Sequence, residues 1–570
     1  MKASRFRTPG RLDALSRRGG AVWTLPDWLG LDFLLVVLAI LVFYIWWPSR
    51  GYFHADNTDT ILWAQSSLEA GRVFNPDFHY AALLPFGANL WYVPLVAVGG
   101  LTMNVQLAGM TVFLLVITLS LLYFFRSLAW RFGESFFAVA LSLLLFSGSN
   151  KLREIFWGHV IYYSLGIVIL SLGLGLLFRQ RQAPHDDERK SKRWFRAVLL
   201  VLLSLGAATN GFQVMAVFAV PLLGALALEA FLGADREERR HLFRRNGVPA
   251  AQIFSGTALG VLLLVFLRRD GVNAGYAEAY TTWSASDTWQ ASFQKIVPDY
   301  LRLFGAENTS TIHLLSLDSL LLGLVLLTAW LVVIIPLLQL FHYKNIRSES
   351  TRLLLLTHAI QSFILLFLYV VGKLSGANWR LTPLLATSVI SSLVVIRDWL
   401  RVPRSDEWFS RTDVDHRPEA WRFAIVFLAV IAGGALANAY AILKMPPDYG
   451  QNSQLYLDKN YILSNELEYG YATFWQANAL TLLTDSQCLV RAVEVNAEKG
   501  SHLRDYQNMD SWYEVQPGVE EYFLLLTQAE LADLRTSPDW LLLQSQLSKI
   551  EQVGQHIFVH FPEHLPELFE

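Results

Sequence analysis

The sequence predicts an all-α, multi-pass membrane domain followed by a small α/β domain outside the membrane. Of the 570 residues, 53% are hydrophobic and only 16% are charged, and the mean hydropathy is +0.34. A soluble chain of this length is less apolar. After Leu443 the composition becomes soluble in character, with enough residues for a small core. We therefore expect a basic arm at residues 1–27, a membrane domain at 28–443 and an α/β domain at 444–570.

Composition also limits the partners. The net charge is only -2 and the basic residues fall in short loops, which argues against a nucleic-acid partner and leaves the lipid bilayer as the expected one. Cys488 is the single cysteine, so an internal disulfide is excluded and a buried apolar position is expected. The basic arm precedes a long apolar stretch without a small-residue cleavage site, which predicts a signal anchor.

A helix needs roughly 20 apolar residues to cross the hydrocarbon core, and about eleven segments qualify, a few of them short. These segments are residues 28–48, 107–125, 135–146, 155–178, 194–208, 212–231, 248–267, 314–341, 353–371, 381–396 and 423–443. Residues 81–101 are also apolar, but Pro85 and Pro94 interrupt them. Counting them as a span would invert every later basic loop, so we expect a re-entrant or interfacial segment beside the membrane.

Charge predicts the orientation. The connections at residues 179–196, 235–245, 344–352 and 397–422 carry most of the loop lysines and arginines, and such loops face the cytoplasm. The N-terminus is then cytoplasmic, in a plasma (inner) membrane. The loops 51–104 and 268–313 and the C-terminal domain are extracytoplasmic.

The C-terminal domain shows both helical and strand patterns. Apolar runs at residues 488–495, 522–526 and 556–561 predict strands, while residues 453–469 and 528–535 have helical spacing. A small α/β fold follows.

The first outer loop carries the most suggestive carboxylates, Asp56 and Asp59, directly before an expected helix at residues 60–70. Thr58 or Asp59 suits the N-cap of that helix, which is a purely structural role. Capping needs only one residue, however, and a partly desolvated carboxylate makes a good general base near neutral pH. Asp56 is therefore harder to explain by capping alone, and both Asp56 and Asp59 are catalytic candidates.

Binding of a divalent cation is an alternative role for the same loop, because carboxylate and imidazole donors occur together there. The donors available are His54, Asp56, Asp59, Asp77 and His79. Their spacing matches no particular metal motif, so no metal ligand is assigned.

Positive charge on the expected outer face forms a second group. Lys151, Arg153 and His159 lie with Glu154 at one helix mouth, and Arg380 lies at another. Cationic side chains there suit a lipid phosphate, while interfacial anchoring explains them equally well.

Aromatic residues dominate the outer loop at residues 268–313, Trp283 among them. Aromatic rings among polar groups suit the apolar face of a sugar, so the loop as a whole predicts a saccharide cover. Packing at the interface explains any single ring.

The order of these parts resembles the GT-C superfamily of membrane glycosyltransferases, such as protein O-mannosyltransferases and aminoarabinose transferases. The resemblance rests on a first span, then Asp56-Asn-Thr-Asp59 leading a helix, a proline-bearing interfacial segment, and a late span opened by Trp379-Arg380-Leu-Thr-Pro383. It covers the multi-span region loosely. Many relatives have Asp-Glu at the first site, where this chain has Asp-Asn-Thr-Asp.

The resemblance implies a GT-C-like fold and a polyprenyl-phosphate sugar donor. It further implies Asp56 or Asp59 as the base and Arg380, helped by Arg153, as the phosphate contact. Lys151, His159, His79 and Trp283 complete the set of expected substrate-binding residues.

The leading hypothesis is the transfer of a sugar to an envelope glycan, lipid or protein on the outer face. A non-catalytic transporter or scaffold for envelope polysaccharide is the rival. Transport predicts ionisable residues deep inside the spans, and these are scarce in the sequence.

Overall fold

The computed structural model describes residues 23–80, 87–182, 190–233, 235–269, 282–306, 312–401, 420–448 and 450–569. The expected basic arm therefore lies almost entirely outside the described residues. The helices of the membrane domain are α1 Leu25–Trp46, α2 Asp59–Glu69, α3 Asn89–Gly99, α4 Met103–Ser127, α5 Phe132–Leu145, α6 Asn150–Trp157, α7 Tyr162–Gln182, α8 Lys190–Thr209, α9 Phe212–Val217, α10 Ala219–Phe231, α11 Arg236–Arg268, α12 Trp289–Phe304, α13 Leu317–Phe341, α14 Glu349–Val371, α15 Thr382–Leu400 and α16 Ala420–Leu443.

The chain is an integral membrane protein. In its described part, nine helices are long and apolar enough to cross a membrane, with α9 and α10 counted as one helix. A tenth span results if α5 and α6, which are bent by 120° relative to each other, are counted together. Each apolar segment predicted from the sequence falls mainly on helices, although the segment at residues 155–178 is interrupted between α6 and α7 at residues 158–161.

The prediction of about eleven spans includes α8, which is not among the nine helices. Its first two turns carry Lys190, Lys192, Arg193 and Arg196, so its apolar part is short compared with the roughly 20 residues that a crossing needs.

The apolar stretch after the first outer helix forms α3, which spans only 11 residues and contains Pro94. A helix of that length rises about 16 Å, half of a hydrocarbon core. By itself α3 is therefore too short to cross the membrane, in agreement with the prediction made from the prolines of this stretch. Residues 81–86 of this segment lie outside the described residues.

Helices α1 and α5 approach closely at Gly30 and Gly133. A methyl group on Gly30 would lie 2.6 Å from the carbonyl oxygen of Gly133, and Asp27 Oδ1 accepts a hydrogen bond from the Gly133 N–H at 2.7 Å. This contact matters for the site because α1 leads into the first outer loop and α5 leads into α6.

The C-terminal domain is a six-stranded mixed sheet with helices packed on it. Its elements are α17 Gln454–Ser464, β1 Tyr469–Thr473, α18 Ala477–Leu483, β2 Leu489–Asn496, β3 Gly500–Leu503, β4 Tyr522–Thr527, α19 Gln528–Thr536, α20 Asp539–Gln546, β5 Lys549–Val553 and β6 His556–Phe561. The strand order is β3-β2-β1-β4-β6-β5. The central β1 runs parallel to β2 and β4, and the remaining pairs are antiparallel. The predicted α/β class is confirmed, and Cys488 is fully buried.

One element of this domain differs from the prediction. The expected helix over residues 453–469 ends at Ser464, and Glu466 with φ 54° stops it. Tyr469 instead opens β1, whose five residues are all buried. A central strand buried on both faces lacks the alternation that identifies a strand from sequence.

The C-terminal domain is hydrogen-bonded to the first outer loop. The His79 N–H donates to the Asn508 carbonyl at 2.9 Å, and the Met103 N–H donates to Asp485 Oδ1 at 2.9 Å. The C-terminal domain and the first outer loop are thus in direct contact, close to the carboxylates of that loop.

Candidate active site

A short 3₁₀ turn, Ala55–Thr58, holds the first polar residues of the site. The His54 N–H donates to Asn57 Oδ1 at 2.8 Å. From α4, Gln106 Nε2 donates to the Asn57 carbonyl at 2.7 Å. These two hydrogen bonds fix the backbone of the turn, from which the side chains of His54 and Asp56 project.

Helix α6 brings a second set of polar groups to the same place. The chain bends by 120° after α5, and Ser149 Oγ then caps α6 by accepting from the Leu152 N–H at 3.1 Å. Trp157 and Leu152 are buried on one side of α6. The bend directs Glu154 toward the 3₁₀ turn.

Glu154 is the centre of the resulting cluster. Its Oε1 lies 3.3 Å from His54 Nε2 and 3.7 Å from His159 Nε2, and Lys151 Nζ lies 2.7 Å from both carboxylate oxygens. His54 Nδ1 lies 4.0 Å from Asp56 Oδ2. The structure therefore joins Asp56 of the first outer loop with Lys151 and His159 of the second.

Asp59 is the first residue of α2, and its role differs from the expected cap. Neither Asp59 nor Thr58 caps α2 through its side chain, because the Thr58 hydroxyl donates to the Ala55 carbonyl at 2.6 Å. Asp59 Oδ1 instead accepts a hydrogen bond from Gln507 of the C-terminal domain.

Burial and the negative charge of Asp56 raise the pKa of the Asp59 carboxyl well above its usual range. The positive charge of Arg504 and the hydrogen bond from Gln507 oppose that rise without cancelling it. The environment therefore favours the protonated form of Asp59.

This pKa predicts a pH-dependent effect of the Asp59→Asn substitution. A carboxyl whose pKa is raised on folding contributes stability below its unfolded pKa of about 3.9, and that contribution is lost as the pH rises through the folded pKa. The neutral amide avoids this loss. We expect the melting temperature of the variant to gain on that of the wild type between pH 4 and pH 8, as measured by thermal unfolding in detergent.

Asp318→Asn is the matched control, because it is the same change of charge at a side chain that is 60% exposed. A stability difference between Asp59→Asn and the wild type that stays constant across this pH range would contradict the assignment.

Arg380 follows Trp379, which contacts Lys151 of the cluster. Lys151 Nζ lies 4.7 Å from the centroid of the Trp379 ring, so the 3₁₀ turn Asn378–Leu381 contacts α6. The Arg380 side chain is buried, and its Nη1 donates to the Lys373 carbonyl at 3.0 Å.

Arg153 of α6 is also buried. Its Nη1 donates to the Ser147 carbonyl at 2.8 Å, its Nη2 donates to Asn150 Oδ1, and its guanidinium lies 5.6 Å from the Tyr44 ring centroid. In this arrangement Arg153 stabilises the bend between α5 and α6.

His79 and Trp283 lie apart from Glu154. His79 Nε2 is 3.5 Å from Asp510 Oδ1 of the C-terminal domain. Trp283 is 67% exposed and its ring packs edge-on against Phe367 at 6.1 Å, while much of the outer loop around it, residues 270–281 and 307–311, lies outside the described residues.

The residues that fit a divalent cation are His54, Asp56 and Glu154. One ligand atom from each lies within 4.8 Å of the others, and such nitrogen and oxygen donors suit ions such as Mn²⁺ or Zn²⁺. A cation there would share the Glu154 carboxylate with Lys151. Asp59, Asp77 and His79 are not part of this group.

Three contributions to the site escaped the sequence analysis. Glu154 was expected only beside basic residues, and Gln507 and Trp475 of the C-terminal domain were not expected near the site at all. The Trp475 ring lies 5.7 Å from the His54 ring. A pair separated by more than 400 positions leaves no local signal in a single sequence.

The fold is similar to that of GT-C membrane glycosyltransferases of known structure, which confirms the fold that the resemblance predicted. The crystal structure of ArnT from Cupriavidus metallidurans bound to undecaprenyl phosphate is similar over 96% of this chain and 100% of that chain, with a TM-score of 0.55 and 12% identity. The apo state of the same protein gives a TM-score of 0.53 and 13% identity over 94% and 98% of the two chains.

The archaeal oligosaccharyltransferase AglB from Archaeoglobus fulgidus, in complex with an inhibitory peptide and a dolichol-phosphate, gives a TM-score of 0.46 and 12% identity, covering 93% of this chain and 74% of that chain. No protein-family model matches the sequence, and no curated protein matches it significantly.

Proposed function

We propose that this protein is a membrane glycosyltransferase that moves a sugar from a polyprenyl-phosphate donor to a hydroxyl group of a cell-envelope acceptor. The observation that supports this most is the cluster of Asp56, Glu154, His54 and Lys151, formed by two loops of a GT-C fold. The similar ArnT structure holds undecaprenyl phosphate, which supports the same class of lipid carrier here.

Asp56 is the proposed general base. As the acceptor oxygen bonds to the anomeric carbon, Asp56 takes the hydroxyl proton, and the bond from that carbon to the phosphate oxygen breaks with its electron pair. Attack from the face opposite the phosphate inverts the anomeric centre. Asp59 is less suited to this step, because a carboxyl held in its protonated form accepts no proton.

Lys151 and Arg380 are the proposed contacts of the leaving phosphate. Both belong to neighbouring turns linked through Trp379, and positive charge aimed at a developing phosphate charge lowers the barrier. Glu154 orients the Lys151 ammonium at 2.7 Å. A divalent cation held by His54, Asp56 and Glu154 would supply further stabilisation of negative charge on the phosphate.

The proposed orientation has the N-terminus in the cytoplasm and this cluster on the extracytoplasmic face of the plasma (inner) membrane. The basic connections on the other side support it. A lipid-linked donor and an envelope glycan, lipid or protein acceptor meet on that face.

The test uses the full chain in lipid nanodiscs with a panel of radiolabelled polyprenyl-phosphate hexoses and envelope extracts. We expect binding of undecaprenyl phosphate, followed by label transfer and release of the lipid phosphate with at least one donor. The Asp318→Asn variant serves as the active control. A wild-type protein that neither binds the lipid phosphate nor consumes any donor would contradict the proposal and favour a scaffold or transporter.

A further inference from the structure

Trp475 leaves its indole ring open beside the catalytic cluster. Its side chain follows β1 directly and is 56% exposed, and its ring centroid lies 5.7 Å from that of His54 at an interplanar angle of 64°. His54 is itself 3.3 Å from Glu154. The apolar face of the indole ring thus lies beside His54 and Glu154, which are polar groups able to hydrogen-bond to hydroxyl groups.

The ring stands on a rigid base. The Gln476 N–H donates to the Thr473 carbonyl at 3.1 Å, and the Thr473 hydroxyl donates to Gln476 Oε1 at 2.8 Å, which closes the turn around Trp475. The neighbouring Phe474 ring packs 5.1 Å from the indole. The Arg504 guanidinium covers Phe474 at 3.4 Å from its centroid.

The same domain is tied to the carboxylates. Gln507 donates to Asp59 Oδ1, and the positive charge of Arg504 acts on the Asp59 carboxyl. The Arg504 side chain is buried, and its Nε and Nη1 make no hydrogen bond within the described residues. The interactions of Gln507 and Arg504 with Asp59 fix the position of the turn around Trp475 relative to the first outer loop.

Trp475 is unusual for its domain. Most exposed large hydrophobic side chains lie on membrane-spanning helices, where lipid covers them. In the described part of the C-terminal domain, the exposed large hydrophobic residues are Leu457, Trp475, Val515, Leu541 and Ile550. Among these five residues, Trp475 is the aromatic residue, and its ring lies beside the cluster.

We propose that Trp475 is the stacking platform for a pyranose ring at the active site. The apolar C–H face of the sugar would rest on the indole, and its hydroxyl edge would face His54 and the nearby carboxylates. This inference rests on the proposed function and adds a specificity-determining residue that the C-terminal domain supplies. The ring belongs either to the donor sugar or to a saccharide acceptor, and the experiment separates the two.

The test compares Trp475→Ala with Trp475→Phe in the full chain. Each substrate is varied while the other is held at saturation, and binding of short-chain isoprenyl-phosphate hexose is measured beside binding of the sugar-free isoprenyl phosphate. We expect Trp475→Ala to weaken one sugar-bearing substrate by about 3–10-fold, on the scale of aromatic contacts. Trp475→Phe restores most of that loss, and binding of the sugar-free phosphate is unchanged.

A donor platform raises the KM and the dissociation constant of the donor, and an acceptor platform raises the KM of the acceptor alone. Leu541→Ala is the control, since Leu541 is 77% exposed on α20, and the melting temperature of each variant reports its folding. An active Trp475→Ala protein with unchanged constants for both substrates, or one altered only in its dependence on lipid composition, overturns the inference. Sugar binding that depends on Trp475 without any transfer contradicts the proposed function instead.

Discussion

Replacing Asp56 with Asn is expected to lower kcat by about 10²–10⁴-fold, the range that a general base contributes. The amide keeps the shape of the side chain but accepts no proton from an acceptor hydroxyl. The KM of the donor should change little, because the proposed phosphate contacts, Lys151 and Arg380, are not altered. Initial rates of sugar transfer in nanodiscs, measured as each substrate is varied, check both parts of this expectation.

Asp318→Asn controls for the loss of a carboxylate elsewhere on the chain, since its side chain is 60% exposed. Asp59→Asn is the more informative comparison. If Asp59 is held protonated, its replacement leaves far more activity than the replacement of Asp56. Equal losses from the two variants would mean that the pair acts together, and a fully active Asp56→Asn protein would remove Asp56 from the mechanism.

Replacing Glu154 with Gln is expected to lower kcat/KM by about 10–100-fold, comparable with the loss of a group that orients a ligand or an active-site side chain. Glu154 contacts His54, His159 and Lys151 within 3.7 Å. The glutamine amide keeps one acceptor oxygen but has no negative charge, so the ammonium loses its ion pair and the three groups share a single, weaker acceptor. Transfer rates and donor affinity of the purified variant measure the effect.

Divalent cations distinguish two ways in which Glu154 acts. If it binds a cation with His54 and Asp56, chelation lowers wild-type activity, and millimolar Mn²⁺ partly restores the Glu154→Gln variant. If it acts only by orienting Lys151, a chelator changes neither protein. Unchanged kinetics in the Glu154→Gln variant would show that the cluster centre has no part in the reaction.

The membrane part of the fold could be predicted from the sequence because its signal is local. Twenty apolar residues in a row form a helix in a bilayer wherever they occur, so the segments predicted from composition fall mainly on helices. The break at residues 158–161, between α6 and α7, left no signal in the apolar segment predicted at residues 155–178. Prolines in the apolar stretch at residues 81–101 also predicted that it is not a straight span, and the helix α3 within it has only 11 residues. The basic first turns of α8 are the place where composition overestimated an apolar length.

The C-terminal domain was predicted less completely. Strand β6 was found at its observed bounds, because His556–Phe561 is a short apolar run. Strand β1 was missed because it lies between β2 and β4 and is buried on both faces. Strands β3 and β5 were also missed. Strand β5 is mostly polar, with the sequence KIEQV, and gives no hydrophobic pattern.

The candidate site was predicted only as two separate halves. The sequence identified Asp56 in one outer loop and Lys151 with His159 in another, and the order of spans placed both on one side of the membrane. It could not bring Glu154 to His54, since that contact depends on the 120° bend between α5 and α6. It contained no indication of Trp475 or Gln507, because these approach the cluster only when the sheet docks.

The hydrogen bond between Gln507 and Asp59 joins residues that are 448 positions apart, and this separation sets the order of biogenesis. At a synthesis rate of about 5–20 residues per second, Gln507 is synthesised roughly 20–90 s after Asp59. The spans insert during that interval, but Asp59 acquires its final environment only after the C-terminal domain has been synthesised and has folded against the first outer loop. Completion of the site is thus coupled to completion of the whole chain, so that truncated products retain the membrane helices without the finished site.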